Sequence, residues 1–194
     1  MVGNANTVLV ADDDPAVVDQ LRSWLDDYRV EATTDGDETI ACLETADAVV
    51  VDHDLLPVSG AVAAELEHRA TTQTLAFLCE QTDAHHHPFS IGNTLVKPVE
   101  KDTVVETVDR LLRRARYDEL IAECTTLATK RGALEAGGDT ACDTRSETLQ
   151  RDLDELFTEL DDLVGTFDSD DFRAAFATCE VGTAIQPRCA SEFS

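Results

Sequence analysis

Five short runs of β-forming, mostly apolar residues punctuate the first hundred positions: TVLVA at 7–11, RVEAT at 29–33, DAVVV at 47–51, TLAFLC at 74–79 and TLV at 94–96. Between them lie stretches with helical periodicity, and this alternation of strand and helix specifies an α/β fold with a doubly wound parallel sheet. Asp14-Pro15 opens the first amphipathic stretch, through Trp24 and Leu25. A proline costs no hydrogen bond at a helix start, and the aspartate can accept from an orphan amide there. Residues 36–45 read as a second helix, and Ser59-Gly60 precedes a third, AVAAELEHRA.

In a parallel sheet the carboxyl ends of the strands share one edge, and that edge is where ligands bind. Here it collects Asp12, Asp13 and Asp14 after the first strand, Asp52 after the third, and Lys97-Pro98 after the fifth. Carboxylates brought together repel unless a cation or proton intervenes. Magnesium suits such a group, because it favours carboxylate and carbonyl oxygens and retains several waters. Asp52, closing the most apolar strand, is the best placed nucleophile, and Lys97 supplies an ammonium able to pair with a phosphoryl oxygen. No nucleophile–base pair or cofactor loop occurs outside this cluster, so an enzyme acting on a diffusible metabolite is not expected.

From Asp102 the pattern turns helical and runs past residue 135, too long for a helix that merely covers a sheet. Its first third, to about Arg114, suits packing on strands. Gly137-Gly138 and the polar stretch to Ser146 break it. Leu149, Leu153, Leu156, Leu160 and Leu163 then alternate at spacings of four and three, a coiled-coil seam. Two helices joined by a polar loop imply an antiparallel hairpin, its seam either closed on Leu120, Leu127 and Leu134 or shared with another chain. A last short helix is expected from Ser169, with Phe172 and Phe176 one turn apart. The domains are accordingly 1–115 and 116–180, followed by a tail, 181–194, whose lack of periodicity leads to the expectation of disorder.

The formal charge of −25, from 15 basic and 40 acidic residues, divides almost evenly, about −13 before residue 117 and about −12 after it. The carboxylates are interspersed with Leu, Val and Ala, which places them on folded surfaces and not in an acidic tail. This balance resembles proteins of salt-loving microbes. The longest apolar runs fall short of the roughly 20 residues of a membrane helix, and MVGNANTVLV has no basic region before its apolar stretch. A cytoplasmic protein is expected. The six cysteines show no CxxC spacing and read as reduced packing residues, with Cys189 the most exposed. His85-His86-His87, adjacent on a loop, reads as solvated chain and not as a metal site.

VLVADDDP, VVVDHDLLPVSG and LVKP resemble the receiver domain of two-component response regulators over roughly residues 6–115. The resemblance implies a flavodoxin-like receiver in which a histidine kinase phosphorylates Asp52. Magnesium would be bound by Asp13, Asp52 and the backbone carbonyl of Asp54, with Asp12 acting through water, and Lys97 would contact the phosphoryl group. The acceptor-loop proline is displaced by one position, to Pro57, with Leu56 in its usual place. Cys79 or Glu80 stands where the family carries Ser or Thr, and Thr94 stands where it carries an aromatic residue. Thr82 substitutes for the hydroxyl only with a register shift of two residues. An atypical switch follows, with phosphorylation weakened or lost.

YDELIAECTTLATKRGALEA and LFTELDDLVGTFDSDDFRAAF resemble the HalX domain, found after receivers in haloarchaeal regulators. That resemblance implies no defined activity. Arg110, Arg113, Arg114 and Arg116 form the only basic cluster, set among strong negative charge, with neither a helix-turn-helix nor a Cys/His finger nearby. Protein contact or self-association through the hairpin therefore ranks above DNA binding as the output. The alternatives are a DNA-binding transcription regulator, or a receiver that acts as an interaction module without phosphorylation.

Overall fold

A computed structural model describes residues 6–56, 65, 66, 68, 69, 74–80, 93–137, 143–169, 171, 172 and 175. Five parallel strands form one sheet: β1 (Thr7–Ala11), β2 (Arg29–Thr33), β3 (Ala48–Asp52), β4 (Leu75–Cys79) and β5 (Asn93–Val96). Their order is β2-β1-β3-β4-β5, the flavodoxin-like form of the doubly wound sheet, whose switch point falls between β1 and β3. The expected α/β class is therefore the observed one, and the five strand runs match β1–β5 to within a residue.

Alternation along the strands builds the two cores. Val8, Val10, Val50, Leu78 and Leu95 face one side and meet Leu21 and Leu25 of α1 (Pro15–Trp24) and the residues that follow it. The same layer receives Val104, Val108, Leu111 and Leu112 of α3 (Lys101–Gly137). Leu9, Val49, Val51, Leu75 and Phe77 face the other side, against Leu43 and Leu66. β3 and β4, central in the sheet, are buried along their whole length.

Local chemistry sets the helix starts as expected. Asp14 caps α1, its Oδ1 accepting the Ala16 amide at 2.8 Å, with Pro15 in the first turn. Asp35 caps α2 (Gly36–Cys42) by accepting the Glu38 amide at 2.9 Å. The expected helix at 36–45 tightens into a 3-10 turn over Leu43–Thr45, as helix ends commonly do. Of the third expected helix, residues 65, 66, 68 and 69 are described and are helical.

Gly36 has a particular reason to be glycine. A methyl group there would lie 2.8 Å from the carbonyl oxygen of Leu55, in the loop that follows Asp52. Gly36→Ala is expected to displace that loop and to cost about 1–3 kcal/mol, as overpacking does. Urea denaturation measures the loss.

The first three turns of α3 complete the sheet core, and the helix then continues unbroken for 37 residues in all. The boundary drawn at 115 falls within it. α4 (Asp143–Val164) returns alongside, forming the expected antiparallel hairpin. Leu120, Cys124 and Leu153 are buried between the helices, and Leu127, Leu134, Leu149, Leu156, Leu160 and Leu163 are half-buried along the same seam. The seam closes within one chain. The last helix begins at Ser169, capped by Asp168, whose Oδ1 accepts the Asp171 amide at 2.9 Å. Phe176, the 181–194 tail, Cys142, Cys179 and Cys189 lie outside the described residues. No helix among the described residues is long and apolar enough to cross a membrane.

Candidate functional site

Asp12, Asp52 and Lys97 each end or directly follow a strand, where the strand ladder is extended by one further bond. The Asp12 amide donates to Thr33 O at 3.4 Å, the His53 amide to Leu78 O at 2.9 Å, and the Lys97 amide to Cys79 O at 2.9 Å. Three side chains thereby converge. The Lys97 ammonium lies 2.7 Å from Asp12 Oδ2 and 2.7 Å from Asp52 Oδ2. Both carboxylates use their second oxygen in the same way, Asp12 Oδ1 accepting the Asp14 amide at 3.0 Å and Asp52 Oδ1 the Asp54 amide at 2.8 Å. These side-chain-to-backbone turns fix each carboxylate so that its Oδ2 faces the lysine.

Asp12 and Asp52 are both buried, and the lysine is mostly so. Burial alone lowers the basicity of Lys97, but hydrogen bonding and charge from Asp12 and Asp52 outweigh it and hold the ammonium well above its ordinary range. A cation thus sits between two inner carboxylates. Asp13 and Asp54 are exposed immediately beside them. Asp12, Asp52 and Lys97 are therefore assembled as expected, while Asp13 stands at the rim and Asp54 contributes its amide to Asp52.

The donor chemistry fits a hard cation, since every candidate ligand is a carboxylate or carbonyl oxygen. Among the described residues no three His, Cys, Asp or Glu side chains already stand together as a metal cage. A magnesium ion here would rely on retained water for much of its shell.

Cys79, Glu80 and Thr94 lie near this edge. Cys79 is the last residue of β4, opposite Val96; it is buried, with its thiol directed at Leu95 O at 3.8 Å. Glu80 follows it and is exposed, and Thr94 on β5 is exposed. Thr82, Pro57 and His85-His86-His87 lie outside the described residues.

Three of the four arginines in the cluster, Arg113, Arg114 and Arg116, are engaged within the chain. Arg113 bonds the buried Asp171 at 3.2 Å, and Arg116 reaches Glu159 at 2.6 Å and Glu119 at 2.5 Å. Arg114 is fully buried, 3.5 Å from Asp118 and stacked on the Tyr117 ring at 4.9 Å. Burial raises the Asp118 carboxyl above its usual range despite Arg114 and His68, which lower it. Phe167 completes this junction by packing on Tyr117 and Phe172. Reading the sequence as a basic patch missed the burial of Arg114. Its signal was present in RRARYDE, where Asp118 and Glu119 follow Arg114 and Arg116 at helical spacing.

Residues 113–176 match the family model of the HalX domain. Over 136 residues the chain is 35% identical to a Haloferax volcanii protein named "Putative transcriptional regulator". That match takes in 66% of this chain, which spans 23% of the relative's length. Among solved structures, a response regulator receiver protein of Sinorhizobium medicae is 21% identical, with a TM-score of 0.48, covering 58% of this chain and 98% of the other. A chemotaxis response regulator of Vibrio cholerae is 25% identical, with a TM-score of 0.41, covering 56% of this chain and 100% of the other. Residues 113–176, similar to the HalX domain, thus continue from a five-stranded doubly wound parallel α/β domain.

Proposed function

We propose that this protein is a response regulator whose Asp52 accepts a phosphoryl group from the phosphohistidine of a histidine kinase and which signals through its HalX hairpin. The observation that carries this reading is the convergence of Asp12 Oδ2 and Asp52 Oδ2 on the Lys97 ammonium, 2.7 Å from each. A carboxylate oxygen of Asp52 attacks phosphorus, the bond from phosphorus to the donor breaks, and an acyl phosphate forms. Lys97 then exchanges its contact with Asp52 for one with a phosphoryl oxygen while keeping Asp12. Asp13, Asp52 and the Asp54 carbonyl would hold magnesium, with Asp12 close by, and the bound ion supplies neutralisation of the incoming charge. The chain performs no turnover on a metabolite in this reading.

The switch is atypical. Cys79 offers a thiol directed at a backbone carbonyl where a hydroxyl is usual, so little at the end of β4 rewards the arrival of a phosphoryl group. Incubation with acetyl phosphate and magnesium, read by intact mass, is expected to label a fraction of the wild type and none of Asp52→Asn. Full and stable labelling contradicts the weakened switch. Absence of labelling contradicts the acceptor role and leaves a phosphorylation-independent interaction module as the reading.

The second reading, a DNA-binding transcription regulator, is favoured by the name of the Haloferax volcanii relative. Arg113, Arg114 and Arg116 are engaged by carboxylates of the same chain, and phosphate contacts weaken steeply with salt. A protein partner is therefore the output we favour. The acidic surface and the haloarchaeal relative support a cytoplasm of concentrated salt as the setting.

A further inference from the structure

We infer that the turn between β2 and α2, residues 33–36, is a positioning element for the cation side of the strand-edge site. It sets the spacing between the Asp12-Asp13 segment and the Asp54 carbonyl, and with it the affinity for magnesium. The inference rests on the magnesium part of the function proposed above and on no phosphoryl-transfer step. No side chain of the turn belongs to the donor set; the turn acts because it touches both segments that do. The Thr33 carbonyl accepts the Asp12 amide at 3.4 Å. Three residues later, a methyl group on Gly36 would stand 2.8 Å from the Leu55 carbonyl oxygen. Leu55 follows directly on Asp54, and its amide donates to the Asp52 carbonyl at 3.3 Å. A push on Leu55 is therefore passed to the peptide unit that carries the Asp54 carbonyl.

Both parts of this contact are held firmly. In a capping box the third helical residue accepts the amide of the cap residue directly. Here the Thr33 hydroxyl stands between them, accepting the Asp35 amide at 3.1 Å and donating to the Glu38 carboxylate. Asp35 Oδ1 accepts the Glu38 amide at 2.9 Å, and the Asp35 carbonyl accepts the amide and the hydroxyl of Thr39 at 2.9 and 2.7 Å. Thr33 and Thr39 are buried. The end of β2 and the first turn of α2 thus form one hydrogen-bonded unit, whereas a cap by itself needs only Asp35.

The acceptor loop is anchored from the other side. Leu56 is buried, and Leu55 packs on the second core, as do Ile40 and Cys42 of α2. With these side chains fixed, the loop yields to an added methyl group only by moving its backbone. Glycine weakens a helix relative to alanine, so Gly36 is accounted for by the loop and not by the helix it begins. Groups that orient the ligands of a metal without touching it commonly change affinity by about 10–100-fold.

Thermal melts of the full-length chain over a magnesium series at constant KCl are the test, because the magnesium concentration giving a fixed rise in melting temperature tracks the dissociation constant. Gly36→Ala and Thr33→Val are each expected to need about tenfold more magnesium than the wild type. Thr33→Ser, which keeps the hydroxyl, should restore the wild-type dependence. Leu153→Ala, destabilised in the hairpin, should also show that dependence, which separates lost positioning from lost stability. A Gly36→Ala variant with wild-type magnesium dependence overturns the inference, as does a Leu153→Ala variant shifted as far as Gly36→Ala. Thr33→Ser no better than Thr33→Val overturns the role of the hydroxyl link. A wild type whose melting temperature ignores magnesium overturns the cation reading itself, and the positioning role with it.

Discussion

Lys97→Ala is expected to lower stability by about 3–5 kcal/mol at neutral pH, the cost of leaving a buried charge unpaired. Asp12 Oδ2 and Asp52 Oδ2 each lie 2.7 Å from the ammonium, so its removal leaves two buried carboxylates facing one another across a short gap. Each then disfavours ionisation of the other, and the folded variant takes up a proton at a pH where the unfolded chain does not. The deficit should therefore shrink as pH falls towards the ordinary carboxylate range near 4. The wild type has its dependence at the opposite end. Lys97 is raised in the folded state, so its contribution is complete below the unfolded lysine value of about 10.4 and is lost as pH rises through the folded one. Lys97→Ala combined with Asp12→Asn should recover most of the loss, and magnesium should raise the melting temperature of Lys97→Ala more than that of the wild type. Thermal melts of the three proteins between acid and alkaline pH give all of these comparisons.

Leu153→Ala is expected to cost about 2–4 kcal/mol, because it removes a buried side chain and leaves a cavity. Leu153 is 4% exposed between α3 and α4. Phe157, one turn along and 51% exposed, should lose little when truncated, since most of its surface already meets water. The contrast is informative because the two residues lie on one helix with similar apolar character. Helicity at 222 nm against urea measures both. Equal losses would mean that Phe157 is covered in solution.

What the sequence disclosed about these two sites differs in kind. β-rich runs of five residues, with aspartates and a lysine at their ends, located Asp12, Asp52 and Lys97 because parallel strands leave few places for their ends to go. Periodicity likewise identified the seam from Leu149 to Leu163. It reports which face of a helix is apolar, but not what covers that face. Closure of the seam within one chain depends on the antiparallel return of α4, which brings Glu159 to Arg116 across 43 residues. The fate of the arginine cluster was hidden for the same reason: Arg113 meets Asp171 across 58 residues. A cluster counted along the chain looked like a basic surface, whereas in space each of Arg113, Arg114 and Arg116 has an acidic neighbour. Asp13 marks another limit, because adjacency to Asp12 places it at the same edge without fixing the direction of its side chain.

Because α3 has no break between Lys101 and Gly137, a tilt at its anchorage in the sheet core would be carried along its whole length. Val104, Val108, Leu111 and Leu112 make that anchorage. The segment from Arg114 to Gly137 extends about 35 Å at 1.5 Å per residue. A tilt of about 10° at the anchorage would carry its far end sideways by about 6 Å, with α4 riding on it. Small adjustments beneath the Asp52 pocket would thus be magnified at the hairpin tip without any joint having to bend.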